Sequence, residues 1–117
     1  MAQTATFDKL SGSTNGLPIK VVQTGTAGTT IHTAVSGTSS FDRIYLYATN
    51  TSASPVVLTL EWGTTTAADG NIIQTIQPQS GEVLLIDGLP LNNAKLVRAF
   101  AASANVILIT GYIFAVV

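Results

Sequence analysis

The chain has 117 residues, no cysteine, five basic and six acidic residues, and a formal net charge of −1. That length fits one domain with its own core, and the lack of cysteine excludes disulfide scaffolds, thiolate zinc sites, iron–sulfur clusters and cysteine nucleophiles. Charged residues make up 9% of the chain, against roughly 25% in an average soluble domain, and the five cations (Lys9, Lys20, Arg43, Lys95, Arg98) are too scattered to hold a nucleic-acid backbone or an anionic membrane surface.

Residues 1–16 are polar, contain no apolar run of the signal-peptide kind, and lack a strand pattern. They read as a flexible N-terminal arm, with residues 17–117 as a single β-domain. From there on the sequence is β-type throughout, with no convincing helix. Strands are expected at 17–24, 29–35, 41–49, 56–62, 72–77, 83–87, 95–102 and 106–117. Turn signals separate them, as in a sandwich or barrel. Gly25, Gly28 and Gly37 permit positive φ. Pro55 can open a strand but not sit inside one. Asp69-Gly70 is a tight-turn dipeptide, and Asp87-Gly88-Leu89-Pro90 and Asn92-Asn93 break the chain again.

Alternation is clearest in two segments. Over 41–49, Ile44, Leu46 and Ala48 share one face, and Phe41, Arg43, Tyr45 and Tyr47 the other. Over 56–62, Val56, Leu58, Leu60 and Trp62 lie opposite Val57, Thr59 and Glu61. Ile44, Leu46, Leu58 and Leu60 are the expected core. The last segment, 106–117, is rich in β-branched and aromatic residues and apolar on both faces. It reads as a strand covered on both sides, between layers or in a subunit interface, rather than as a membrane span. The expected fold is therefore all-β: an antiparallel β-sandwich or jelly roll of about eight strands, whose open edges would be covered in an oligomer. A surface so poor in charge also suits an assembly subunit.

No motif points to catalysis. The single histidine, His32, lies in an alternating segment and reads as a polar-face residue. There is no nucleophile elbow and no further His or Cys ligand to join His32 in a metal site, and the carboxylates Asp8, Asp42, Glu61, Asp69, Glu82 and Asp87 are too dispersed to replace such ligands. No cofactor is expected. Gly25-Thr26-Ala27-Gly28-Thr29-Thr30 faintly suggests a phosphate loop but has no lysine and no following helix. Asn50-Thr51-Ser52 is a glycosylation sequon that matters only in a protein secreted by a eukaryote. Trp62, with the Tyr45/Tyr47 face, offers either a sugar-stacking platform or an apolar anchor.

The runs Ile44-Tyr45-Leu46-Tyr47-Ala48-Thr49-Asn50-Thr51-Ser52, Leu58-Thr59-Leu60-Glu61-Trp62-Gly63, Ile76-Gln77-Pro78-Gln79-Ser80-Gly81, Gly88-Leu89-Pro90-Leu91, Val97-Arg98-Ala99-Phe100-Ala101-Ala102-Ser103-Ala104-Asn105 and Thr110-Gly111-Tyr112-Ile113 resemble small structural proteins of tailed-bacteriophage virions, nearest to capsid decoration, or cement, proteins. The resemblance covers about two-thirds of the chain, from Ile44 onward. It implies a non-enzymatic β-sandwich or jelly-roll subunit, often a homotrimer, made in the host cytoplasm. Such a subunit sits on the outer surface of the capsid, where it bridges major capsid subunits and stabilises the head. It carries over no site residue. Residue type and position alone nominate Tyr45, Tyr47, Trp62, Phe100, Tyr112 and Phe114 as interface anchors. The alternatives are another phage component (tail, neck or fibre) and a carbohydrate-binding β-sandwich module.

Overall fold

The computed structural model describes residues 4–117. It contains nine strands: β1 (Ala5–Lys9), β2 (Ile19–Lys20), β3 (Thr29–Thr33), β4 (Phe41–Asn50), β5 (Val56–Trp62), β6 (Asn71–Ile76), β7 (Val83–Leu91), β8 (Leu96–Ala101) and β9 (Ile107–Val116). They form two antiparallel sheets. One runs β1-β9-β4-β7, with β2 pairing β9 beside β1; the other runs β3-β8-β5-β6. There is no helix among the described residues.

The strand order follows from one long hairpin folded over on itself. The innermost pair is β5 with β6; outside it come β4 with β7, then β3 with β8, then β1 and β2 with β9. Rolling that ribbon brings β9 against β4 and β8 against β5, which closes two four-position sheets over one core. This is jelly-roll winding, one of the two architectures the sequence suggests.

The core lies between the sheets. Ile44, Leu46, Leu58 and Leu60 are all fully buried, as alternation requires, and they join Ile107, Ile109, Ile76, Val97 and Ile31 in one cluster. Each such side chain contributes about 1.5–3 kcal/mol by leaving water. Gly111 sits in β9 opposite Leu46. A Cβ there would lie 2.0 Å from the Tyr45 carbonyl oxygen, so only glycine lets β4 and β9 approach this closely.

Three segments differ from expectation by more than two residues. Within the segment read as a strandless arm, Ala5–Lys9 pairs along the outer part of β9, and the next residue, Leu10, is buried in the core. The side chains of β1 are all exposed, so no alternation marks it. The strand expected over 17–24 shrinks to Ile19–Lys20. Beyond it, Val21 N–H donates to Ile107 O and Gln23 O accepts from Ala101 N–H, so the chain leaves one sheet for the other within three residues. Finally, β7 does not stop at Asp87 but continues through Gly88 and Pro90 to Leu91. It is an edge strand, where a proline need not donate to a neighbour.

His32 faces inward, not outward with the polar residues as the sequence suggests. Strict alternation would place it with Thr30 on the polar face. The register instead slips between them: Thr30 pairs Arg98 while His32 pairs Val97, and Val97 is a core residue. The bulge thus turns His32 inward, leaving it 3% exposed.

Replacing Gly111 by alanine should destabilise the fold by about 2–3 kcal/mol, because its Cβ meets main chain that cannot move aside. Denaturant unfolding would show this as a lower midpoint at unchanged slope.

Candidate interaction surface

The outer face of the β1-β9-β4-β7 sheet gathers most of the aromatic residues. Register places Phe7 beside Phe114 and then Arg43, and Lys9 beside Tyr112 and then Tyr45; Tyr47 follows beside Thr110. Because paired residues share a face, their rings meet. Tyr45 and Tyr112 stack with centroids 4.8 Å apart and planes 15° off parallel. Phe7 lies 5.2 Å from Tyr112 and 5.5 Å from Phe114. Phe114 stands edge-on to both tyrosines at 5.9 and 6.0 Å. The Arg43 guanidinium sits 5.9 Å from the Tyr45 ring, within cation–π range. Phe7 is 63% exposed, and nothing among the described residues covers this face as a second layer.

The face carries an electrostatic signature. The Tyr112 hydroxyl titrates above its ordinary value of 10.0, first because of hydrogen bonding with the Tyr47 side chain, then through desolvation and the nearby charges of Tyr47 and Asp87. The folded chain therefore holds this proton more tightly than the unfolded one. Its contribution to stability is complete below the ordinary tyrosine range and is lost as pH rises through and above it.

Four of the six nominated anchors (Tyr45, Tyr47, Tyr112, Phe114) thus lie together. Trp62 and Phe100 do not join them. Both belong to the other sheet; Trp62 packs half-buried against the core, and Phe100 pairs Thr59 on that sheet's outer face. A combined Trp62–tyrosine platform is therefore absent. Phe7, the most exposed member of the patch, falls outside the sequence-derived set because it sits in the segment without a strand pattern.

The buried polar groups serve the fold. The Ser11 main-chain N–H donates to His32 Nδ1 at 3.0 Å. That nitrogen is therefore the acceptor, and the ring proton sits on Nε2, which donates to Asp42 Oδ2 at 2.8 Å. Asp42 also accepts from Val35 N–H at 3.2 Å. A cavity of about 420 Å³ opens alongside, lined by Asp8, Lys9, Ser11, His32 and Asp42 among others. Both ring nitrogens are engaged internally, and Ser11 Oγ accepts the Thr33 N–H at 2.7 Å, so the His32–Asp42 pair bridges the sheets rather than activating Ser11. Among the described residues there is no cluster of three or more metal-ligating side chains and no helix long and apolar enough to cross a membrane.

Glu61 lies on the outer face of its sheet, as alternation requires, yet is 1% exposed. The loop that faintly suggests a phosphate cradle closes over it. Gly28 N–H donates to Glu61 Oε1 at 2.6 Å, and Thr26 Oγ1 donates to Oε2. The anion in that cradle is the chain's own carboxylate. A Cβ on Gly28 would lie 2.6 Å from Ala99 main chain, which is why the loop can seat so closely. The sequon residue Asn50 is likewise enclosed: its Nδ2 donates to Ser54 O and Ile76 O.

No protein-family model matches the chain, and neither a curated protein nor a solved structure matches it.

Glu61→Ala should cost about 2–3 kcal/mol, since it strands the buried Gly28 N–H; hydrogen exchange at that amide should quicken correspondingly. Tyr47→Phe removes the largest cause of the Tyr112 shift, so phenolate absorbance should show Tyr112 titrating closer to 10.0.

Proposed function

We propose that the chain is a non-enzymatic structural subunit that docks on a larger protein assembly through the outer face of β1, β9 and β4. One observation carries this reading: a continuous, half-exposed aromatic surface set on a rigid sheet in a chain otherwise depleted of charge. Rings already stacked on one another lose little freedom on docking. Aromatic residues and arginine are the types enriched at interface centres, and here Arg43 lies beside the Tyr45 ring.

The sequence resemblance supplies the identity of the assembly. On that reading it is the head of a tailed phage. The chain is a decoration subunit on the outer surface, bridging major capsid subunits, with those subunits and further copies of itself as partners rather than nucleic acid or membrane. Jelly rolls serve both viral shells and lectins, so the fold permits this role without selecting it. The parallel Tyr45–Tyr112 pair favours one second reading, a carbohydrate-stacking surface, now without Trp62.

Virions of a phage encoding the chain, separated into heads and tails, test the assignment. Mass spectrometry should find the chain in the head fraction. Its presence in tails alone would make it a tail component, and its absence from the particle would overturn the virion reading. On heads lacking the chain, the Phe7→Ser/Tyr112→Ser variant should bind about 30-fold or more weakly than the parent, the loss expected of a central aromatic anchor. Retention on a glycan array that this variant abolishes would instead support the carbohydrate reading.

A further inference from the structure

The two sheets have four outer edges, and three are blunted. On β7, register slips twice against β4, and Asp87, Gly88 and Pro90 interrupt the edge. On the opposite side of that sheet, β1 carries Asp8 and Lys9, and β2 is only two residues long. In the other sheet, β3 is bulged and covered: Gly12 N–H donates to Ile31 O, and Thr33 N–H to Ser11 Oγ. Breaks, charges and covering segments of this kind are how proteins prevent edge pairing.

The fourth edge, β6, has none of these protections from Ile72 onward; only at its first residue does the chain's own turn cover it, Asn71 N–H donating to Ala68 O. Its sequence, Asn71-Ile72-Ile73-Gln74-Thr75-Ile76, has no charge, proline or glycine, and it pairs with β5 without a register shift. Ile73 is 63% exposed, with exposed Val57 on the same outer face. Trp62 N–H donates to Gly70 O, which sets the phase of the β5–β6 ladder. Residues 72, 74 and 76 direct their main-chain groups toward β5, whereas 71, 73 and 75 direct theirs outward. Among the described residues, Ile73 and Thr75 have no main-chain partner on that side.

We infer that β6 is a self-pairing edge, and that two copies of the chain join antiparallel across it about a two-fold axis at Ile73. The second copy is the occupant this edge fits. A two-fold axis normal to the sheet keeps outer face with outer face, so outward-directed residues meet outward-directed residues. Ile73 then opposes Ile73 of the second copy, and Asn71 opposes Thr75. In that register Ile73 N–H donates to Ile73 C=O in both directions and Thr75 N–H donates to Asn71 C=O, while the two exposed isoleucines cover each other. Because the strand is neutral, the isologous contact brings no like charges together. The pairing extends each four-stranded sheet into a continuous one and leaves the aromatic face of the other sheet free. It does not depend on the function proposed above.

Light scattering after size exclusion, over a dilution series, tests this. The parent chain should show twice the monomer mass at high concentration. Ile73→Lys opposes two cations at the axis and should raise the dissociation constant about ten-fold or more. Mixing Ile73→Lys with Ile73→Glu should restore the dimer. Ile73→Cys, the only thiol in the chain, should form a disulfide-linked dimer on oxidation, since the roughly 5.5 Å Cα spacing of a hydrogen-bonded pair suits a disulfide. A parent chain that stays monomeric at its highest soluble concentration would overturn the inference; a peptide from another protein would then be the edge's partner. An oligomer of any size, including a trimer, that is unmoved by Ile73→Lys would overturn it as well.

Discussion

The pairing of β4 with β9 organises this molecule. Ten consecutive residues of each strand pair from Phe41–Val116 to Asn50–Ile107 with no shift. That single register decides what each face of the sheet carries. Inward it sets Ile44, Leu46 and Ala48 against Ile113, Gly111 and Ile109; outward it sets Arg43, Tyr45 and Tyr47 against Phe114, Tyr112 and Thr110. A slip of one residue would exchange the two sets, burying tyrosines and exposing the core. The core and the aromatic face are therefore two consequences of one constraint. Gly111 is where the two strands come so close that no side chain fits.

Buried polar side chains then anchor the connections the sheets cannot hold. Asp42 and His32 take main-chain N–H groups from Val35 and Ser11. Glu61 takes that of Gly28, and Asn50 holds the turn before β5 through Ser54 and Ser52. In each case a buried side chain satisfies main-chain groups where the chain leaves a strand and would otherwise hold unpaired donors or acceptors. Two of the six acidic residues, Asp42 and Glu61, are spent this way, so a surface already poor in charge becomes poorer. Asp42 and Glu61, two of the dispersed carboxylates of the sequence, are in the fold substitutes for missing ladder partners.

Period-two patterning makes β4, β5 and their four core residues legible in the sequence, because large apolar side chains alternate there with mostly polar ones, even though Thr59 and Glu61 on the outer face of β5 are themselves covered. It was silent where that contrast fails. β1 has no buried side chain, so no alternation marks its pairing with β9, which rests on main-chain bonds and on Phe7 meeting Tyr112 and Phe114. His32 escapes the pattern because a bulge adds one residue to the count, and a bulge leaves no mark in an apolar–polar alternation. The second half of β7 is hidden from the sequence because Gly88 and Pro90 end most strands but are tolerated on an edge. Tyr45, Tyr47, Tyr112 and Phe114 could be nominated by type, yet their convergence, and the separation of Trp62 and Phe100 from them, depends on which strands become neighbours when the hairpin rolls up. That is a non-local property.

The rolled hairpin also explains why the molecule has two unlike surfaces for contact. Winding places β9 inside its sheet, flanked by β1, β2 and β4, so the outward aromatics of β9 have neighbours on both sides and form a patch instead of a row. The same winding leaves β6, the strand after the innermost turn, at the end of the other sheet with no strand beyond it. A patch of stacked rings fits a partner by shape and apolar area. An uncharged regular edge fits only another strand, because main-chain donors and acceptors make its contacts. In a chain with so few charges to keep copies apart, the edge left regular and uncharged is the one that can accept a second copy, while charge, proline, bulges and Leu10–Gly12 close the others.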